Sequence, residues 1–151
     1  MRGEDLEATV AVWKAANAAR GQSPTVQRVT RVREKLTQPG ASAYVAERQG
    51  VIGMILAEPG SANAGRGPVT AGLLHVSMVF VHPGSQRQGV GCALLQRVFA
   101  GASEAGIALV SLWTDTANEP AKRLYESVGM APTDLRHVGG DRLWVRYERK
   151  L

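Results

Sequence analysis

Apolar residues recur along the chain at two spacings, and glycine and proline mark the positions where one spacing gives way to the other. An apolar residue at every third or fourth position predicts four helices, over residues 5–20, 23–38, 89–105 and 118–128. Alternating or continuous apolar runs predict six strands, over residues 42–48, 51–57, 73–81, 107–113, 130–138 and 142–149. The order ααβββαβαββ indicates a mixed α/β (α+β) fold whose sheet is partly antiparallel.

Local signals predict where several of these elements begin. Ser23 followed by Pro24 predicts the cap and first position of the second helix, and Asn118 predicts the cap of the fourth. The strand over residues 73–81 is almost continuously apolar, so we expect it at the centre of the sheet with both faces covered. Residues 59–68 are mostly small and rich in glycine, which predicts a loop between the second and third strands.

The length of 151 residues suits a single domain over the whole chain, large enough to bury a core without disulfides. The single cysteine, Cys92, excludes an internal disulfide and a cysteine-rich zinc site. No run of about 18 apolar residues could span a bilayer. The first residues, Met-Arg-Gly-Glu-Asp, are too acidic for a secretory signal. We therefore expect a cytoplasmic protein without a membrane partner.

The chain carries a net charge of +5, which favours an anionic partner but does not say which kind. Its basic residues concentrate in two clusters, Arg28, Arg31, Arg33 and Lys35, then Arg142, Arg146, Arg149 and Lys150. Such clusters are usually solvated faces, and aromatic residues are not interleaved with these. We therefore expect no nucleic acid partner.

The segment over residues 79–95 carries the clearest chemical signal. A buried strand ends at a proline turn, and Gln-Arg-Gln-Gly-Val-Gly at 86–91 leads directly into a helix. Gly89 and Gly91 let a ligand approach the backbone, and the helix N-terminus with Arg87 favours an anion such as a pyrophosphate. The spacing matches neither a P-loop nor a dinucleotide-binding fingerprint. Plain turn chemistry is the alternative explanation for a glycine pair at a helix start.

Four elements, taken in order, resemble the GNAT superfamily of acyl-CoA N-acyltransferases. The Gln-x-x-Gly-x-Gly at 86–91 is similar to the pyrophosphate loop of that family, and Val-His-Pro at 81–83 is similar to the turn before it. Further on, the strand over residues 109–113 precedes Asn118, and Leu-Tyr-Glu-Ser-Val-Gly-Met occupies 124–130. The resemblance is strong from about residue 73 to residue 130.

The resemblance implies a central mixed, mostly antiparallel sheet flanked by helices, in which two parallel strands splay apart. Acetyl-CoA would lie in that opening as co-substrate, between the strand ending at Val81 and the strand ending near Trp113, with no metal. The family's binding positions fall on Val79, Phe80, Val81, Gln86, Arg87, Gln88, Gly89, Val90, Gly91, Cys92, Asn118 and Tyr125.

Some of these positions also have plainer explanations. The backbone at 79–81 is expected to pair with pantetheine and the thioester carbonyl. Lys122 or Arg123 is expected to reach the 3′-phosphate of the nucleotide. Asn118 also fits a simple helix cap, and Cys92 a small residue packed under the loop.

Tyr125 matches the general acid that protonates the departing thiolate. The alternative is an aromatic residue that packs on the sheet. For the base that takes the proton of the amine, His75 occupies the strand position where some family members carry a glutamate. His75 also fits a hydrogen-bonded core residue, and Glu47 or Glu58 could act through water instead.

The function implied is direct transfer of an acetyl group, through a tetrahedral intermediate, to a primary amine of a small molecule, peptide or protein. A non-catalytic acyl-CoA-binding module is the alternative. The acceptor stays open, and a homodimer is one expected state because family members often dimerise. One departure concerns the N-terminus, where only Met-Arg-Gly-Glu precedes the first helix. The family's first strand is therefore either absent or outside this sequence.

Overall fold

A computed structural model describes residues 1–61 and 67–151 of the chain. All ten predicted elements are present. The helices are α1 (Leu6–Ala19), α2 (Val26–Thr37), α3 (Val90–Glu104) and α4 (Glu119–Ser127). The strands are β1 (Ser42–Glu47), β2 (Val51–Pro59), β3 (Leu73–Val81), β4 (Leu109–Asp115), β5 (Ala131–Gly139) and β6 (Arg142–Lys150). Short 3₁₀ turns at Gly3–Asp5 and Pro83–Ser85 precede α1 and the loop into α3.

The six strands form one sheet in the order β1-β2-β3-β4-β6-β5. Within the described ranges, β3 and β4 are parallel and the other neighbouring strands are antiparallel. The expected mixed, mostly antiparallel sheet is therefore confirmed. The apolar strand β3 lies inside the sheet, as its sequence predicts.

The two parallel strands pair over only part of their length. Pairing runs from Leu73 opposite Leu109 to Val76 opposite Leu112, although β3 continues to Val81 and β4 to Asp115. Beyond this point each strand stays paired with its outer neighbour, β2 or β6. The sheet therefore opens between β3 and β4, as the resemblance implies.

A β-bulge coincides with the end of that pairing. Met78 lies opposite Leu56 and Val76 opposite Ala57, which leaves Ser77 as the extra residue of β3. A bulge bends its strand and increases the local twist. The bulge therefore turns β3 away from β4 where the two strands separate.

Each face of the sheet carries its own apolar core. On one face α3 and α4 cover residues of β2, β3, β4 and β6, including Ile55, Val76 and Leu112. On the other face α1 and α2 pack on Met54, Leu56 and other residues of β1, β2 and β3. Among the described residues, this second core draws none from β4, β5 or β6. The β4–β6–β5 half of the second face is therefore not part of a helix-covered core.

Two local predictions differ from the structure, and the expectation that no strand precedes the first helix holds in the described residues. The predicted cap of α2 was wrong, because the side chain of Thr25, and not Ser23, accepts a hydrogen bond from the backbone N–H of Arg28. Strand β2 extends to Pro59, and residues 62–66 of the predicted loop lie outside the described residues. In the described part of the chain no strand precedes α1, and the terminal amine of Met1 donates a hydrogen bond to Ala43 of β1. The sheet accordingly has six strands.

Several members of the basic clusters make contacts inside the protein. The guanidinium of Arg28 lies 5.2 Å from the centre of the Trp13 ring, and that of Arg149 lies 4.4 Å from the centre of the Phe99 ring. Arg33 forms an ion pair with Glu7 at 2.8 Å. These side chains hold elements together, which accounts for part of the charge clustering.

None of the helices in the described ranges is long and apolar enough to cross a membrane.

Leu95 tests the core beneath α3, because its side chain is 0% exposed whereas Leu135 on β5 is 48% exposed. We expect Leu95→Ala to lower the free energy of unfolding by about 2–5 kcal/mol, since it leaves a cavity in a packed core. The matched change Leu135→Ala should stay within about 0.5 kcal/mol of the wild type. Urea unfolding followed by circular dichroism measures both, and equal effects would contradict the assigned core.

Candidate active site

A groove of about 580 Å³ lies beside the free edge of β3, between α3 and α4. It is lined by Arg20, Val79, Val81, Ser85, Gln86, Arg87, Gly89, Val90, Gly91, Cys92, Asn118, Pro120, Ala121, Arg123, Leu124 and Tyr125. Ten of the twelve predicted binding positions are in this set. The structure therefore brings together residues that lie up to 46 positions apart between Val79 and Tyr125.

One end of the groove is the N-terminus of α3. Gly89 is its N-cap residue, and no side chain caps the helix there. The first N–H groups of α3 are therefore left to bind an anion, and the helix dipole favours negative charge at this point. Arg87 lines the same end and has a left-handed φ of 60°. Backbone N–H groups and a cation together suit a pyrophosphate.

The two glycines of the loop serve different purposes. Gly89 has a φ of 78° and open space around it, so its role is the backbone conformation that turns the loop into α3. Gly91 has no such requirement, but a Cβ there would lie 2.9 Å from a methyl carbon of Leu124. Gly91 therefore lies at the contact between α3 and α4, where an added Cβ would require the end of the Leu124 side chain to shift.

Two predicted binding residues direct their side chains away from the groove. Phe80 packs edge-on against Trp13 of α1, with ring centres 6.4 Å apart. Gln88 accepts a hydrogen bond of 2.7 Å from Arg48. The expectation for these positions concerned mainly their backbone groups, and it stays a prediction.

Helix α4 supplies the opposite wall. Asn118 caps it, because its side-chain oxygen accepts from the N–H of Ala121 at 3.3 Å, and Asn118 also lines the groove. The cap and the binding role are thus compatible. Lys122 is held by Glu119 at 2.6 Å, whereas Arg123 lines the groove. Of the two residues expected to reach the nucleotide phosphate, Arg123 is the one that lines the groove, and that role stays a prediction.

Tyr125 lies in the groove wall and is only 9% exposed. Burial raises the pKa of its hydroxyl to about 12, and the positive charge of Arg20 acts weakly in the opposite direction. The ring of Tyr125 also packs against that of Tyr147, with centres 5.9 Å apart. The hydroxyl therefore keeps its proton at any working pH, which is the state that a general acid needs.

Arg20 is a groove residue that sequence reasoning missed. It follows α1, which packs on the opposite face of the sheet from α3 and α4, yet it lines the same groove as Tyr125. The groove therefore extends from the walls made by α3 and α4 to the end of α1. Nothing in the sequence around Arg20 signals this, because the contact depends on how the two sheet faces meet.

His75 lies below the opening, where β3 and β4 are still paired, and it is not among the groove residues. Its Nδ1 is 3.0 Å from the hydroxyl oxygen of Ser111 on β4, and Glu58 of β2 lies opposite it. Burial lowers the pKa of the imidazole to about 4, although the charge of Glu58 acts in the other direction. His75 is therefore neutral near pH 7, and its role as base stays a prediction.

The two glutamates considered as bases have different surroundings. One oxygen of Glu58 accepts a bond of 2.9 Å from Lys35 of α2, while its other oxygen, Oε2, is buried without a hydrogen-bond partner. Glu47 pairs with Arg2 at 3.2 Å on the surface of β1. Glu58 is thus the one that lies beside His75.

Residues 1–61 and 67–151 contain no group of three His, Cys, Asp or Glu that could hold a metal ion.

Comparisons with known proteins agree with this geometry. The model of the acetyltransferase (GNAT) family matches residues 9–130. No curated protein sequence matches the chain.

Among solved structures, the chain is similar to ribosomal-protein-alanine N-acetyltransferase from Brucella melitensis, with a TM-score of 0.81 at 20% identity over 100% of this chain and 97% of that one. For an N-acetyltransferase from Staphylococcus aureus Mu50 the TM-score is 0.79 at 19% identity, over 99% of this chain and 94% of that one. PaiA N-acetyltransferase from Thermoplasma acidophilum was solved in complex with coenzyme A. Its TM-score is 0.68 at 18% identity, over 98% of this chain and 94% of that one.

The family match covers most of the chain, and the chain belongs to the GNAT family of acetyltransferases. At these identities the structural similarity shows the fold. The family and the neighbour with bound coenzyme A support an acyl-CoA as co-substrate.

Gly89→Glu tests the anion end of the groove. We expect acetyl-CoA affinity to fall about 100-fold or more, because a carboxylate would face the pyrophosphate at the helix N-terminus. The control is Gly106→Glu, which has a similar φ of 73° and open space but lies after the other end of α3. Titration calorimetry with acetyl-CoA measures both variants, and an unchanged affinity for Gly89→Glu would refute the assignment of the loop.

His75→Gln tests the burial of the imidazole. The pKa of His75 is about 4 in the folded chain against 6.5 in the unfolded chain, so the unfolded state takes up the proton first on acidification. Stability should therefore fall between about pH 6.5 and 4 by roughly 3 kcal/mol from this group. Urea unfolding across that range should show a smaller loss for His75→Gln than for the wild type. Identical profiles for the two proteins would contradict the assigned burial.

Proposed function

We propose that this protein transfers an acetyl group from acetyl-CoA to a primary amine of a small molecule, peptide or protein. The observation that carries the proposal is the groove itself. It has an uncapped helix N-terminus beside Arg87 at one end and the protonated hydroxyl of Tyr125 in its wall. The helix N-terminus suits a pyrophosphate, and the hydroxyl of Tyr125 suits a leaving thiolate. Acetyl-CoA contains both groups.

The chain's own residues would bind and orient acetyl-CoA. The N–H groups at the start of α3 and the side chain of Arg87 would hold the pyrophosphate. The edge of β3 from Val79 to Val81, which no longer pairs with β4, would hydrogen-bond the pantetheine arm as a strand does. Asn118 lies on the facing wall, where it would bond the same arm.

Transfer would be direct. The neutral amine attacks the thioester carbonyl, the tetrahedral intermediate collapses, and the C–S bond breaks. Tyr125 donates its proton to the sulfur as the thiolate leaves, and the amine gives up one proton to a base. With a pKa of about 12 the hydroxyl is a weaker acid than a thiol, so its proton would move as negative charge develops on the sulfur during C–S bond cleavage.

His75 and Glu58 together supply the proposed base. They lie opposite each other on β3 and β2, on the sheet face that Arg20 also reaches. The imidazole is neutral near pH 7, so it is available to accept a proton, through water, from an amine bound nearer the opening. We place the reaction in the cytoplasm, with no metal, nucleic acid or membrane taking part.

A binding module without catalysis is the second candidate. Such a module would need the anion end of the groove but not a protonated hydroxyl in its wall, so Tyr125 favours the enzyme. The names of two neighbours also favour amine transfer, since one acts on ribosomal-protein alanine and another is an N-acetyltransferase. A peptide N-terminus is therefore included in the proposed acceptor class.

Tyr125→Phe tests the general acid. We expect turnover to fall about 100- to 10,000-fold, the usual contribution of such a group, while acetyl-CoA affinity changes little. Tyr44→Phe is the control, because Tyr44 lies on β1 outside the groove. Chromatographic measurement of CoA release with a panel of amines gives turnover, and calorimetry gives affinity.

Two results would contradict the proposal in different ways. Normal turnover in Tyr125→Phe would remove the acid role and leave the transferase. Binding of acetyl-CoA by the wild type, with no acetylation of any amine, would instead support the binding module.

A further inference from the structure

The end of pairing between β3 and β4 brings two side chains to one point. Val76 and Leu112 are the last paired residues, and both belong to the core under α3 and α4. Successive side chains of a strand point to opposite faces. The next residue of β4, Trp113, therefore projects towards the second face, and Ser77, the extra residue of the β3 bulge, lies at the same level at the base of the opening.

Both of these residues carry a buried polar atom without a partner. The hydroxyl oxygen of Ser77 and the indole Nε1 of Trp113 are inaccessible to solvent and make no hydrogen bond. A buried polar atom in this state is costly, so such atoms are rare unless a water or a ligand completes them. Two of them at one point indicate a place where a bound group supplies the missing hydrogen bonds.

This point is where an acyl group in the groove would end. The groove lies beside Val79 and Val81 of β3, and the opening between the strands closes where Val76 meets Leu112. Arg20, which follows α1 on the second face, lines the same groove. With acetyl-CoA bound from the side of α3 and α4, an acceptor has to approach from the second face, over Ser77 and Trp113.

The surroundings restrict the kind of acceptor. Trp113 lies opposite Arg146, whose charge is already balanced by Glu148 at 2.8 Å. Next to Trp113, the exposed ring of His137 meets the indole edge-on at 5.1 Å and stacks on Trp144 at 6.1 Å. The indole N–H therefore requires a hydrogen-bond acceptor, and because the charge of Arg146 is already paired with Glu148, a neutral carbonyl suits it better than a carboxylate.

We propose that Ser77 and Trp113 form the acceptor subsite and that it selects α-amino carbonyl compounds, such as amino-acid amides and peptide N-termini. The hydroxyl of Ser77 accepts a hydrogen bond from the amine, and Trp113 Nε1 donates one to the carbonyl oxygen on the adjacent carbon. This holds the amine at the end of the acyl group. The inference rests on the proposed function and adds the substrate class to it.

The first test compares two amines that differ at the carbonyl group. L-Alaninamide carries the carbonyl, and isopropylamine has a methyl group in its place. We expect Trp113→Phe, which keeps a ring but removes the N–H, to lower kcat/KM for L-alaninamide about 10- to 100-fold and to leave isopropylamine unchanged. Comparing each variant with the wild type on the same amine cancels the difference in amine basicity.

Trp144→Phe is the matched control, since it removes an indole N–H from the same aromatic group away from the opening. It should leave kcat/KM unchanged for both amines. Ser77→Ala should raise KM for both amines about 10-fold, because both carry the amine N–H that Ser77 accepts. Acetyl-CoA affinity should stay at the wild-type value in all three variants. An equal loss on both amines in Trp113→Phe, or no loss on either, would overturn the subsite.

A binding measurement separates this inference from the proposed function. The indole N–H signal of Trp113, assigned by its disappearance in Trp113→Phe, can be followed by NMR with CoA present. We expect L-alaninamide to shift it and isopropylamine to leave it in place. A wild type that acetylates no amine would overturn the proposed function, whereas an unmoved Trp113 signal would overturn the subsite whatever the activity.

Discussion

The structure depends on the early end of pairing between two parallel strands. A sheet is stabilised by continuous hydrogen bonding between neighbours, yet β3 and β4 pair only from Leu73 to Val76 and then separate. Ser77 lies at this point as the extra residue of a β-bulge in the pairing of β3 with β2, and a bulge bends its strand. The groove and the free edge of β3 both follow from this one break in the sheet.

The end of pairing between β3 and β4 leaves one face of the sheet for each of the two proposed substrates. On one face α3 and α4 meet at Gly91, and their facing walls form the groove proposed for acyl-CoA. On the other face the core made by α1 and α2 ends at β3, which leaves the half of the sheet around Trp113 uncovered by that core. The two proposed substrates would then meet within the sheet, with no side chain needed as a covalent carrier.

Burial acts on the two titratable groups near the break in opposite directions, and for the same reason. Removing the charged form from water raises the pKa of Tyr125 to about 12 and lowers that of His75 to about 4. Near pH 7 both side chains are therefore neutral, one holding a proton to donate and the other able to accept one. Arg20 and Glu58 act against these shifts, and neither reverses them.

The sequence alone determined the ten elements, the mixed sheet and most of the groove. Helix and strand spacing, the loop at 86–91 and the cap at Asn118 are encoded over short stretches, because turns, caps and apolar faces depend on neighbouring residues. Only the tertiary structure decided where Arg20 lies, that α4 meets α3 at Gly91, and that Ser77 and Trp113 carry buried polar atoms without partners where the strand pairing ends. Those features join residues far apart in the chain, and their burial and register exist only once the sheet has formed and opened.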